Sequence, residues 1–151
     1  MKRVLIGFFI ILIPVLCMAA KGRKPRTDEV EKQIRAVLDK QVVAWNKGSI
    51  EDFMSGYWNS RNLSFYSGGA KNNGWQETIA RYRQRYQSEG REMGQLDFSE
   101  LRIEVLGPNA AFVRGKWHLK MKDSEPGGLF TLILRKFSDG WKIIHDHTST
   151  Q

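Results

Sequence analysis

From Ala111 to Lys122 the chain alternates. Ala111, Val113, Gly115, Trp117, Leu119 and Met121 keep one parity, while Phe112, Arg114, Lys116, His118, Lys120 and Lys122 keep the other. A period of two over such a length predicts a strand with one face buried and one wetter. Its ladder groups need neighbouring strands, and the flanking sequence supplies them. Leu96 and Phe98 hold one parity and Leu101, Ile103 and Val105 the other, so a bulge near Ser99–Glu100 is expected to reconcile them. Gly107-Pro108-Asn109 turns the chain before the alternating segment, and residues 123–128 turn it afterwards. Leu129 to Leu134 is apolar on both parities, as suits a central strand. Ser138-Asp139-Gly140 then makes a tight hairpin into a closing strand from Trp141 to Ser149. Four antiparallel strands follow from these residues alone.

The segment before the strands reads differently. Val30, Ile34, Val37, Leu38, Val42 and Trp45 recur at helical spacing on one face, with Asp28 and Glu31 as a capping pair at the start and Gly48 as the stop. Ser49 and Asp52 open a short second helix carrying Ile50, Phe53 and Met54. Leu63 and Phe65 mark a short strand that ends at Gly68-Gly69. Asn73 with Gln76 is expected to cap a third helix, whose inner face is Trp75, Ile79, Tyr82 and Tyr86; residues 88–94 read as a loop. Helices gathered ahead of a meander predict an α+β fold, with N-terminal helices packed on a curved, mostly antiparallel sheet.

The first residues belong to another category. Lys2 and Arg3 precede the apolar run from Val4 to Leu16, and Ala19 and Ala20 follow it, which is the layout of a secretory signal over residues 1–20. The chain is therefore expected to be exported, periplasmic or secreted. Retention of residues 4–20 as a membrane anchor is the alternative. Cys17, the single cysteine, would leave with the signal. Residues 21–27 read as a basic linker, able also to touch anionic head groups, and residues 28–151 as the folded domain.

The same segment resolves the charge. The formal net charge is +8, but six of the 24 basic residues (Lys2, Arg3, Lys21, Arg23, Lys24 and Arg26) flank the apolar run. The remainder is nearly balanced against 16 acidic residues, too little for a phosphate-backbone footprint. Nucleic acid is not an expected partner.

Two stretches carry a family resemblance. Ala44-Trp45-Asn46-Lys47-Gly48, followed by Ile50-Glu51-Asp52-Phe53, resembles the join between the first two helices of the nuclear transport factor 2-like superfamily. Residues 140–149, from Gly140-Trp141 through His145-Asp146-His147 to Ser149, are similar to the last strand of its SnoaL-like and kinase-association-domain members. The superfamily also includes ketosteroid isomerase and scytalone dehydratase. The nearest likeness is to the secreted SnoaL-like, DUF4440-type group. The resemblance implies a cone in which the sheet wraps the first helix and leaves a pocket at one end. It also implies pairing of two chains through the convex face of the sheet.

Candidate chemistry gathers near the C-terminus. In a regular strand His145 and His147 would share the inner face with Trp141 and Ile143, and Asp146 would point outward. A histidine there suits proton transfer near neutral pH. The two imidazoles lack a third metal ligand, so no metal and no cofactor are expected. Trp45, Tyr57, Trp75, Tyr82 and Trp117 fall on inward faces and, with His145 and His147, are the expected pocket lining. Arg81, Arg83 and Arg85 form a solvated helix face, or offer one arginine to an anionic ligand. Isomerase-type chemistry would need a carboxylate in an apolar pocket, and no carboxylate lies on an inward parity in this register; Asp146 and Glu100 come nearest. The expected function is binding of a small organic molecule in a partly apolar pocket. The alternatives are a cofactor-free isomerase, dehydratase or hydrolase using His147 or Asp146, and a homo-oligomeric assembly module.

Overall fold

The computed structural model of the protein describes residues 27–88 and 91–150. The expected signal segment and the basic stretch up to residue 26 lie outside the described residues. Thr27, read from sequence as the end of the linker, is already the first residue of a helix.

That helix, α1 (Thr27–Asn46), buries Val30, Ile34, Leu38, Gln41, Ala44 and Trp45 along one stripe. Asp28 lies inside the first turn rather than ahead of it. The C-terminus closes as a Schellman turn: the Ser49 amide donates to the Ala44 carbonyl at 3.0 Å and the Gly48 amide to that of Trp45 at 2.8 Å. Ser49 then caps α2 (Ile50–Met54), its hydroxyl accepting from the Asp52 amide. Among the described residues no helix is long and apolar enough to cross a membrane.

Two short strands follow, β1 (Ser64–Ser67) and β2 (Ala70–Asn73), where the sequence predicted one. Gly68 and Gly69 both sit at positive φ, 58° and 75°, the combination a two-residue hairpin turn demands. Gly-Gly therefore connects a hairpin instead of ending a strand. Asn73 is consequently a strand residue, and the N-cap of α3 (Trp75–Tyr86) is Gly74, not Asn73. The Asn73 amide instead donates to the carboxylate of Glu77 at 3.0 Å.

The meander comprises β3 (Gln95–Gly107), β4 (Ala110–Lys120), β5 (Gly127–Phe137) and β6 (Gly140–Thr148). With the hairpin it forms a six-stranded sheet in the order β2-β1-β6-β5-β4-β3. All pairings are antiparallel except β1 with β6, so β6 lies inside the sheet and does not close its edge. The predicted β3 bulge is present: Ser99 pairs with Lys116 and Arg102 with Arg114, leaving Glu100 (φ 51°) and Leu101 opposite Gly115. A bulge of this kind bends a sheet, and the curved surface wraps α1. The fold is the expected α+β arrangement, with α1 against β3 and β6 and the core on the concave face.

The leading end of β5 fits its neighbours without slack. Gly128 pairs with Trp117, whose indole N–H donates to the Ser149 carbonyl at 2.9 Å. A methyl group on Gly128 would run into that carbonyl and meet the indole nitrogen at 2.9 Å. Gly128→Ala is therefore expected to destabilise the protein by about 1–3 kcal/mol, the usual cost of forcing extra volume into packed structure. Denaturant melts of the two proteins measure it.

Candidate functional site

Polar groups at the end of α1 determine where the helix stops on the sheet. The Trp45 indole N–H donates to the Met93 carbonyl at 3.0 Å. Asn46 grips Leu96 from both sides, accepting from its amide at 2.7 Å and donating to its carbonyl at 3.1 Å. These bonds hold an aromatic group at the open end of the cone. Trp45 meets Phe53 edge-on at 5.0 Å and Tyr86 at 4.8 Å, and Phe53 meets Tyr82 at 5.5 Å.

Below these rings lies a cavity of about 90 Å³, with exposed Arg85 and Thr150 at its rim. Trp45, Tyr57, Tyr82 and Trp117 line it, together with Phe65, Phe130 and the carboxyl of Asp146. Asp146 reaches this face because β6 carries a second bulge. Leu134 pairs with Ile143 and Ile133 with His145, so Ile144 is an extra residue and the parity reverses beyond it. Asp146 and Thr148 turn inward beside Leu132 and Phe130, while His145 and His147 turn outward.

The two histidines are thus corrected from lining to outer face. His145 Nδ1 lies 2.6 Å from the Ser64 hydroxyl and its ring packs edge-on against Tyr66. Burial, aided by the nearby His147 charge, holds the His145 pKa below the ordinary imidazole value. His147 is exposed. Trp75 is corrected as well: its indole donates to the Met54 carbonyl at 2.9 Å and it lies outside this cavity. Among the described residues no cluster of three metal-type ligands forms.

Asp146 is only 4% exposed and has two hydroxyl partners. Tyr57 donates to Oδ2 at 2.7 Å and Thr148 to Oδ1 at 2.8 Å. Burial pushes its pKa up from 3.8 to about 6, against the opposing pull of Tyr57, Thr148 and the charge of His147. The Tyr57 and Tyr82 phenols are pushed well above their ordinary value, first by burial and then by the charge of Asp146. Both phenols therefore keep their protons at neutral pH. Asp146 alone changes state in this region, and each of its oxygens keeps an acceptor position beyond the bond it already has. The arrangement can take a proton from a bound molecule and return it.

No signal in strand periodicity pointed to Asp146. The doubled Ile143-Ile144 in an otherwise alternating strand is the one local mark of the bulge. Gln41 was not singled out from the sequence. It is buried in α1 and donates to the Phe53 carbonyl at 3.2 Å, tying α2 to the floor of the site.

The family model for the SnoaL-like domain matches residues 34–151. An NTF-2-like protein of unknown function from Shewanella oneidensis MR-1 is similar at 38% identity and TM-score 0.74, over 79% of this chain and 98% of its own. A nuclear transport factor 2-like superfamily protein from Salmonella enterica serovar Typhimurium LT2 shares 20% identity, with TM-score 0.71 over 82% of this chain and 92% of its own. A putative calcium/calmodulin-dependent protein kinase type II association domain from Thiobacillus denitrificans shares 21%, with TM-score 0.61 over 78% and 94%. No curated protein matches this chain.

A buried carboxyl with a raised pKa makes stability depend on pH. Below about pH 3 Asp146 is protonated in folded and unfolded chains alike and costs nothing. As pH rises toward 6 the unfolded chain ionises first, so stability falls, and above 6 the loss levels off. The loss amounts to roughly 3 kcal/mol. Asp146→Asn removes this dependence, so its stability relative to wild type is expected to rise between pH 4 and pH 7. Paired denaturant melts across that range check the sign.

Proposed function

Because the chain belongs to the SnoaL-like domain family, within the NTF2-like superfamily, we propose that its cavity binds a small organic molecule with a largely apolar body. The observation that carries this reading is the site around Asp146. One ionisable group is buried among aromatic rings at the wall of an open cavity, where it adds nothing to packing that a leucine would not add more cheaply. The cavity is small, so a ligand would fill it with one end and project past Arg85 with the other.

A second reading, proton transfer on the bound molecule, is favoured by the Asp146 pKa of about 6. A base poised near neutrality both accepts and releases a proton readily. With the Tyr57 hydroxyl beside it, the site resembles that of a cofactor-free isomerase or dehydratase, in which a carboxylate and a hydroxyl donor shuttle a proton.

Export, inferred from residues 1–20, would place this pocket outside the cytoplasm. Self-association through the sheet is the third element of the proposal. It is supported by Leu129 and Ile133, 52% and 37% exposed on the outer face of the sheet beside Phe112.

Titration with small aliphatic and aromatic alcohols, followed by calorimetry, tests the pocket. Saturable binding that Trp45→Phe weakens and Ile133→Lys leaves alone is the expected result; no saturable binding by any compound would sink the reading. Sedimentation of wild type against the Leu129→Lys, Ile133→Lys double variant tests assembly. A dimer that becomes monomeric is expected.

A further inference from the structure

A second recess of about 40 Å³ adjoins the cavity, between α3 and the β1–β2 hairpin. Phe65 and Tyr82 line both spaces. At roughly 10–15 Å³ per water-sized atom, the recess has room for about three. Its wall includes Asn72, which is inward because the two-residue turn sets it directly opposite Phe65.

Asn72 is 4% exposed, and its amide is half satisfied. Oδ1 accepts from the Arg81 guanidinium at 3.2 Å, but Nδ2 is buried without a hydrogen-bond partner. Turning the amide over would not help, since it would set donor against donor at Arg81. The free N–H is therefore fixed in place by a cation. An unpaired buried donor is costly, which marks this one as a group awaiting an acceptor. Among the described residues neither Arg81 nor Arg85, both bordering the recess, has a carboxylate partner. Donor and charge ask for the same thing: an anionic oxygen.

The sheet register gives the distance from this point to the reacting group. Asn72, Phe65, Asp146 and Leu132 form one cross-strand row on the inner face. Asn72 and Asp146 are two strand spacings apart, roughly 10 Å. We propose that the recess holds the carboxylate of the ligand, on Asn72 Nδ2 and the Arg81 guanidinium, with its short apolar chain directed along this row toward Asp146. The ligand class is a small monocarboxylic acid with a short apolar chain. Allowing a hydrogen bond of about 2.9 Å at each end, that span leaves roughly 4 Å, which takes a chain of about three or four carbons. The separation also keeps the ligand's charge away from the Asp146 carboxylate. This inference rests on the pocket reading above and adds its substrate class.

The test compares butanoate with butanamide and butan-1-ol at pH 8, where acid and Asp146 are both ionised. Binding is read from the Trp45 indole and Asn72 side-chain amide resonances of the whole protein. Butanoate is expected to bind at least about tenfold more tightly than the amide, as one charge-assisted bond to a buried donor implies. Asn72→Asp replaces the free donor with an acceptor and keeps a partner for Arg81; it should abolish the preference while butan-1-ol binds as before. Arg81→Met, which leaves Asn72 in place, should reduce the preference in a folded protein if the first variant melts early. Equal affinity for acid and amide in wild type, or a preference that survives both variants, overturns the proposal and leaves the pocket reading standing. Failure of all three compounds to bind overturns both.

Discussion

A folded chain closes on any empty space that its side chains can reach, so a persistent cavity needs walls that cannot move inward. Here the fixed points are hydrogen bonds from the tips of large side chains to distant backbone. Trp45 is tied to Met93, Asn46 to both polar groups of Leu96, and Trp117 to Ser149. Each is a ring or amide whose apolar part faces the interior and whose polar end is anchored at the rim. If those ends were free, Trp45 and Trp117 could lean into the space they now border. The bonds exchange for hydration and add little net stability one by one, but they specify where bulk may not go.

The cost of the site is concentrated in one group. A carboxyl taken out of water loses its solvation, and Tyr57 and Thr148 return only part of it, which is why proton binding to Asp146 is favoured beyond the ordinary range. The rest of the concave face offsets this with dense apolar packing. Ile34, Leu38, Ile50, Met54, Leu134 and Ile143 are all fully buried on or under the helices. Such division of labour, a rigid apolar base beneath a strained polar end, is what allows one ionisable group to remain where it is least stable.

Much of the scaffold was legible because its residues follow their periods. The stripe of α1, the alternation of β4 and the parity break of β3 each involve apolar side chains whose placement can be checked against the next one along. The bulge in β6 offered no such check. Beyond Ile144 the inward residues are Asp146 and Thr148 and the outward ones are histidines, so nothing apolar records the reversal. Trp45, Tyr57, Tyr82 and Trp117 were placed at the cavity by the same periods that gave the fold, whereas His145 and His147 were misplaced by assuming a regular strand. Trp75 failed for a different reason: it sits in the first turn of α3, on the side facing α2. The β1–β2 hairpin was hidden by its brevity and by a polar second strand, although Gly68-Gly69 carried the turn.

The tripeptide His145-Asp146-His147 presents an acid to the interior and imidazoles to the exterior because the bulge takes Ile144 out of the count. Strand faces are counted modulo two. Loss of a single codon at Ile144 would remove the bulge and keep the lining, because Ile143, His145 and Asp146 would then alternate in, out, in along a regular strand. Chains with and without the extra residue can thus present the same acid, and an alignment that slides the gap past it would equate residues on opposite sides of the sheet.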